Sequence, residues 1–238
     1  MGRTLSYIAL TGNGYHLVTV GSDSTPESIW IDPAASDDLS FATGAGHLLM
    51  ERALSPHSVI VDAQAPTRVL LNDARDPMLS GDGESLAFVR DRQGRGQLMA
   101  RNKIASDVTI ALTPPSLNVF EATYLSQKGY AFSAVERGQP PQIYLTDATH
   151  QNAQLALGEA RYPALSADGR WMAYSHLDVG VWNLWVRNEQ TGVVRRIAEV
   201  PCNQIQSAWE SDSKTLLYST DCGRSLWFTA LARRRVIP

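Results

Sequence analysis

Five acidic residues recur along the chain, each just after the second β-type segment of a successive unit: Glu51, Asp91, Glu136, Asp178 and Asp221. Four arginines accompany them, Arg52, Arg92, Arg137 and Arg224, while Arg75 and Arg161 hold equivalent places ahead of following segments. Carboxylates and guanidiniums interspersed on loop tips can orient a charged partner and reject wrong ones. They are also what a wet loop tip ordinarily carries. Two carboxylates at a fixed separation in a deep pocket could instead cleave a glycosidic bond. Asp91 and Asp178 are the residues available for that, with no glycosidase signature beside them. The candidate set for binding a ligand or partner is therefore Arg75, Asp91, Glu136, Arg161, Asp178, Asp221 and Arg224.

Other chemistries find no support in the sequence. No Gly-x-Ser-x-Gly elbow offers a serine nucleophile. No His-Glu-x-x-His or paired Cys-x-x-Cys pattern offers a zinc site, and no phosphate-binding glycine loop is present. His16, His47, His57, His150 and His176 are scattered over different segments. No catalytic residue, metal ligand or cofactor is therefore expected. The formal charge of −3 gives no basis for nucleic-acid binding, and Arg233, Arg234 and Arg235 read as a solvated edge strand. No run approaches the ~20 apolar residues of a membrane helix, and the first ten residues do not read as a signal peptide. The expectation is a trimmed chain or part of a longer protein, not itself membrane-spanning, with room for a membrane anchor elsewhere in the parent.

The elements that would position these residues are set by a repeat. A polar residue, an aliphatic and a large apolar residue recur as Ser28-Ile29-Trp30, Ser58-Val59-Ile60, Gln97-Leu98-Met99, Gln142-Ile143-Tyr144, Asn183-Leu184-Trp185 and Ser225-Leu226-Trp227. A second marker ends in Phe88, Phe132, Tyr174 and Tyr218, at intervals of 44, 42 and 44 residues. Ala74 to Gly83 also parallels Ala160 to Gly169, two periods away. Each unit reads as strands, because the apolar runs are short, rich in β-branched and aromatic residues, and bounded by turn formers. Asp82-Gly83 and Asp168-Gly169 mark turns, as do Gly12-Asn13-Gly14 and Gly44-Ala45-Gly46. A repeat of about 40 residues holding about four short strands is a propeller blade, and six blades hide one another's faces from water.

Tyr162-Pro163-Ala164-Leu165-Ser166-Ala167-Asp168-Gly169-Arg170-Trp171-Met172-Ala173-Tyr174 resembles the repeat of TolB-like, WD40-like β-propellers. Asp76 to Phe88 is a second copy, and Ser207 to Tyr218 a third with Ser213 where Gly is usual. The resemblance covers residues 74–238 well and 1–73 poorly. It implies an all-β, six-bladed β-propeller of four-stranded antiparallel blades. The expected blades are roughly 1–35, 36–73, 74–117, 118–159, 160–201 and 202–238, forming one domain. The first blade is expected to be incomplete, or Leu5–Leu10 to complete the last one. The resemblance also implies a non-catalytic domain that binds a protein or peptide at the channel mouth, an interaction or sensor domain of a larger protein. The alternative is a propeller enzyme or enzyme accessory domain, either glycosidase-like or the gating propeller of a prolyl-oligopeptidase-type peptidase.

Cys202 and Cys222 flank the last hairpin, whose turn centres near residues 211–212. They are equally far from that turn, so they face each other across the strands, where Cβ atoms lie about 4.5–5.5 Å apart. A disulfide is expected, and with it a periplasmic or extracellular setting. The alternative is two reduced cysteines packed as small apolar residues.

Overall fold

The computed structural model describes residues 4–11, 14–21, 25, 27–32, 40–44, 46–54, 57–80, 82–125, 129–146, 153–197, 200–222 and 230–237. Every regular element among them is a strand, and the strands form six antiparallel sheets in chain order. The first sheet holds β1 (Thr4–Thr11), β2 (Gly14–Gly21) and β3 (Glu27–Asp32). The second holds β4 (Phe41–Gly44), β5 (His47–Leu54), β6 (His57–Asp62) and β7 (Ala65–Asn72). The third holds β8 (Ala74–Leu79), β9 (Leu86–Arg92), β10 (Arg95–Arg101) and β11 (Ile110–Ala111). The fourth holds β12 (Asn118–Tyr124), β13 (Tyr130–Val135), β14 (Gln142–Thr146) and β15 (Ala153–Leu157). The fifth holds β16 (Ala160–Leu165), β17 (Trp171–Asp178), β18 (Val181–Asn188) and β19 (Val194–Arg196). The sixth holds β20 (Gln204–Trp209), β21 (Thr215–Thr220) and β22 (Ala230–Arg235).

Strands are ordered sequentially within each sheet, because short turns return the chain to its neighbour. Leu5–Leu10 pairs with Val20–Tyr15, which places it in the first sheet rather than as the completing strand of the last. Trp227 and Arg224 lie outside the described residues, as do Gly12, Asn13, Ala45 and His150.

Contacts group the chain into two compact units: residues 1–94 with 100–109, and residues 95–99 with 110–238. In the first unit, Leu17 of β2 packs with Met50 of β5 and with Val59 and Val61 of β6. Gly44 closes β4 against the third sheet: a Cβ there would meet Leu79 Cβ at 3.2 Å and the Ser80 carbonyl at 3.3 Å. In the second unit, Leu125 and Ala131 meet Met172, while Ala173, Leu184 and Val186 meet Leu216, Tyr218 and Val236. Within each unit, neighbouring sheets thus cover one another's faces. That explains why second strands such as β13 bury consecutive residues instead of alternating, whereas the outer strands β11 and β19 are mostly exposed.

The Asp-Gly turns close by one recurring network. Ser166 Oγ donates to Asp168 Oδ1 at 2.7 Å, and Asp168 Oδ1 accepts the Arg170 N–H at 3.0 Å. The Gly169 N–H donates to the Ser166 carbonyl at 2.8 Å. Ser80, Asp82 and Gly83 repeat the pattern. Gly83 and Gly169 take φ of 72° and 69°, which glycine adopts without steric cost. In the sixth sheet Ser213 occupies that place with φ 53°. Its Oγ accepts the Asp168 N–H of the previous turn at 3.1 Å, a contact glycine could not make.

Candidate functional site

The first strands of the third, fifth and sixth sheets carry a common distortion. The register slips between Arg75 and Met78, between Arg161 and Ala164, and between Ile205 and Ala208. The residues Asp76, Tyr162 and Gln206 within these bulges take φ of 49°, 56° and 52°. A bulge leaves an extra residue without a ladder partner and re-aims its side chain. The freed N–H groups need acceptors, and for Asp76 and Tyr162 the previous sheet supplies them. Ser133 Oγ of β13 accepts the Tyr162 N–H at 3.1 Å. Glu51 Oε2 of β5 accepts the Asp76 N–H at 3.3 Å, and Ser40 Oγ accepts it at 3.1 Å.

In the first unit the Asp76 bulge gathers charge. Arg75 Nη1 donates to Asp76 Oδ2 at 2.8 Å, and its Nε lies 3.3 Å from Asp91 Oδ2. Arg75 and Asp91, both chosen from the sequence, are therefore brought together. Glu51 is not a loop-tip acid: β5 continues to Leu54, and Glu51 is only 3% exposed. Ser40 Oγ donates to Glu51 Oε2 at 2.6 Å. Burial, and then the Asp76 charge, raise the Glu51 carboxyl from 4.5 to about 7 against the opposing hydrogen bonds from Ser40, Ser58 and the Asp76 amide.

In the second unit Arg161 pairs with Glu121 of β12 through a short Nη2 to Oε1 contact. Its guanidinium carbon lies 4.9 Å from the Phe120 ring centroid and 4.7 Å from that of Tyr162. Tyr162 in turn meets Trp182 edge to face, with centroids 6.4 Å apart. Phe120, Glu121, Arg161, Tyr162 and Trp182 are all half-buried. Glu121 Oε2 and Arg161 Nε have no hydrogen-bond partner among the described residues. Asp221 is tied down, since its Oδ1 and Oδ2 accept the Asn203 N–H and Nδ2 at 2.7 Å each. Asn203 Oδ1 then accepts the Trp182 N–H at 3.0 Å. Glu136 and Asp178 are exposed beyond or at the ends of β13 and β17. Arg224 lies outside the described residues.

The sequence therefore marks Arg161 but not the residues that hold it. Glu121 and Phe120 lie one repeat earlier, and Trp182 lies across the sheet from the bulge, at positions no local spacing connects. The available signal was the alignment of Arg75-Asp76 with Arg161-Tyr162, which shows that one bulge recurs.

Cys202 and Cys222 form a disulfide with Cα atoms 5.1 Å apart. The Gln204–Thr220 pairing, continued by two residues, places the cysteines opposite each other. Beyond the bulge the register is offset by one, with Ala208 opposite Leu217, so the bulge is what brings the two sulfurs into line. Among the described residues, no group of three His, Cys, Asp or Glu side chains is arranged as a metal site, and no helix is long and apolar enough to cross a membrane.

No protein-family model matches the chain, and no curated protein sequence does. Solved structures do match. TolB from Acinetobacter baumannii superposes with a TM-score of 0.79 at 20% identity, over 98% of this chain and 61% of its own. The fold is a TolB-like β-propeller. An oligogalacturonate lyase in complex with manganese matches this propeller with a TM-score of 0.67 at 13% identity, over 98% of this chain and 74% of the lyase. A Mycobacterium tuberculosis puromycin-hydrolyzing peptidase matches at 0.64 and 14% identity, over 98% of this chain and 43% of the peptidase. The chain spans about 61% of the length of that TolB. At these identities the TolB-like likeness is one of fold, and folds of this kind carry both binding and catalytic functions.

Proposed function

We propose that the chain is a non-catalytic, protein- or peptide-binding propeller that works outside the cytoplasm, as an interaction or sensor domain of a larger protein. The observation that carries this reading is the Arg161 cluster. A guanidinium is held by the rings of Phe120 and Tyr162 and paired to Glu121, with about a quarter of its side chain exposed, and Trp182 meets the Tyr162 ring edge to face. Arginine, tyrosine and tryptophan in partly desolvated pockets are the residue types that dominate binding energy at protein interfaces. A pre-positioned side chain of this kind loses little rotamer freedom on binding. The exposed acids Glu136 and Asp178 supply further charge to set orientation and association rate. The Cys202–Cys222 disulfide supports an oxidising compartment. Among the described residues, the one carboxyl whose pKa is pushed up to about 7, Glu51, is enclosed and hydrogen-bonded to Ser40 and Asp76, so it presents no acid to a substrate.

The test begins with a pull-down from a periplasmic extract and identification of the captured protein. Its affinity for the intact chain and for Arg161→Ala and Asp178→Ala variants is then measured. Arg161→Ala should weaken binding by about tenfold or more while the variant keeps a native circular dichroism spectrum. Full affinity in both variants would retire this face as the binding surface. Hydrolysis or elimination of oligogalacturonate or of a peptide substrate by the purified chain would overturn the non-catalytic reading.

A further inference from the structure

Within the first unit, a cavity of about 420 Å3 opens beside the end of β7 and the face of β9. Arg90, Arg92 and Arg101 line it together with Asp73 and Asp91. Both acids are already engaged. Asp91 lies within 3.3 Å of Arg75 Nε, and Asp73 Oδ1 lies 3.0 Å from His57 Nδ1. Among the described residues neither Arg90 nor Arg92 has a carboxylate within ion-pair distance, and Arg101 Nε donates to the neutral Thr109 Oγ1 at 3.0 Å. Arg90 is further fixed over the Phe88 ring, 5.2 Å from its centroid. The cavity thus carries an excess of positive charge, and its volume is that of a small-molecule site. Burial, and then the repulsion of Arg92 and Arg101, hold the Arg90 pKa below its usual value against the longer-range attraction of Asp73.

We propose that this cavity binds a small ligand bearing two or more adjacent anionic oxygen groups, either a polycarboxylate or a diphosphate. Guanidinium groups form paired N–H···O bonds with either kind of oxyanion. Two arginines on one strand face, at positions 90 and 92, can each take one anionic group, and Arg101 closes the site from β10. The ligand replaces the repulsion among like charges with attraction, which selects multivalent over monovalent anions. Asp73 faces the same cavity, so a ligand must also keep its negative groups on the arginine side, which disfavours a bare extended polyanion. The cavity residues belong to the first unit and the Arg161 cluster to the second, so separate variants test anion binding and partner binding.

Calorimetric titration of the full chain with citrate and with pyrophosphate, at low ionic strength, tests the proposal. Acetate and chloride serve as monovalent controls. Saturable binding of one citrate or one pyrophosphate is expected, weakened about tenfold or more by Arg90→Gln. Arg92→Gln should weaken it as well. Arg92 is exposed at the end of its strand, so that variant tests the site even if Arg90→Gln fails to fold. Arg195→Gln, on an exposed residue of the second unit, should leave binding intact. Preference between citrate and pyrophosphate identifies the ligand class. No binding of either probe, or equal weakening by Arg92→Gln and Arg195→Gln, overturns the proposal.

Discussion

Glu51 and Asp76 share a proton-sensitive contact: the Glu51 carboxyl, 3% exposed, accepts the Asp76 N–H at 3.3 Å while the two acid groups repel. Ser133 accepts the Tyr162 N–H in the equivalent place between the fourth and fifth sheets. Glu51 therefore occupies a position where a small neutral hydroxyl suffices, and burial favours its protonated form.

That relationship gives the chain a pH-dependent stability. The folded carboxyl titrates near 7 and the unfolded one near 4.5. Between these values the folded state binds a proton that the unfolded state has released, so stability falls as pH rises. The contribution is full below about 4.5 and is lost by about 7. Its size is about 3 kcal/mol by linkage. Glu51→Gln keeps an acceptor for the Asp76 N–H and removes the charge. Urea unfolding of Glu51→Gln should show a flatter stability profile between pH 5 and 7 and higher stability than the parent above pH 7, on the order of 1 kcal/mol or more. An unchanged profile would show that Glu51 is ionised throughout.

Removing the disulfide should destabilise the sixth sheet. The closed loop spans 20 residues, and the chain-entropy relation assigns such a crosslink about 3 kcal/mol. Cys202→Ser/Cys222→Ser should lower the urea midpoint accordingly. Mass spectrometry of the unreduced chain should find no alkylatable thiol; two would refute the bridge.

Gly169 offers a clean measure of backbone strain. Its φ is 69°, and nothing lies within 4 Å of the position a Cβ would occupy. Gly169→Ala should therefore cost about 1 kcal/mol through backbone conformation alone, read as a lower midpoint with an unchanged denaturant slope. Ser213→Gly relieves the same strain but deletes the acceptor for the Asp168 N–H. It should consequently stabilise by less than the Gly169→Ala loss, or destabilise slightly.

Ser133→Ala tests the link between sheets. It leaves the Tyr162 N–H facing a buried position without its acceptor, at a cost of about 1–3 kcal/mol. If the Tyr162 bulge also positions Arg161, the same variant should weaken partner binding. Loss of stability with full affinity would separate the two roles.

The sequence by itself determined the all-β character, the succession of six sheets, the Asp-Gly turns and the facing of Cys202 and Cys222. These follow from short-range rules: apolar runs of strand length, turn residues with positive φ, and antiparallel register counted from a hairpin. The sequence also marked Arg75, Asp91 and Arg161 as recurrent charges. Only the tertiary structure decided their neighbours. Whether Glu51 lies on a loop tip or inside a sheet depends on how far β5 runs and on what covers it. The pairing of Arg161 with Glu121 and Phe120, and the gathering of Arg90, Arg92 and Arg101 around one cavity, come from bulges and from packing between strands distant in sequence. A side chain's partner across such a gap is set by the twist and stacking of whole sheets, which no local spacing encodes.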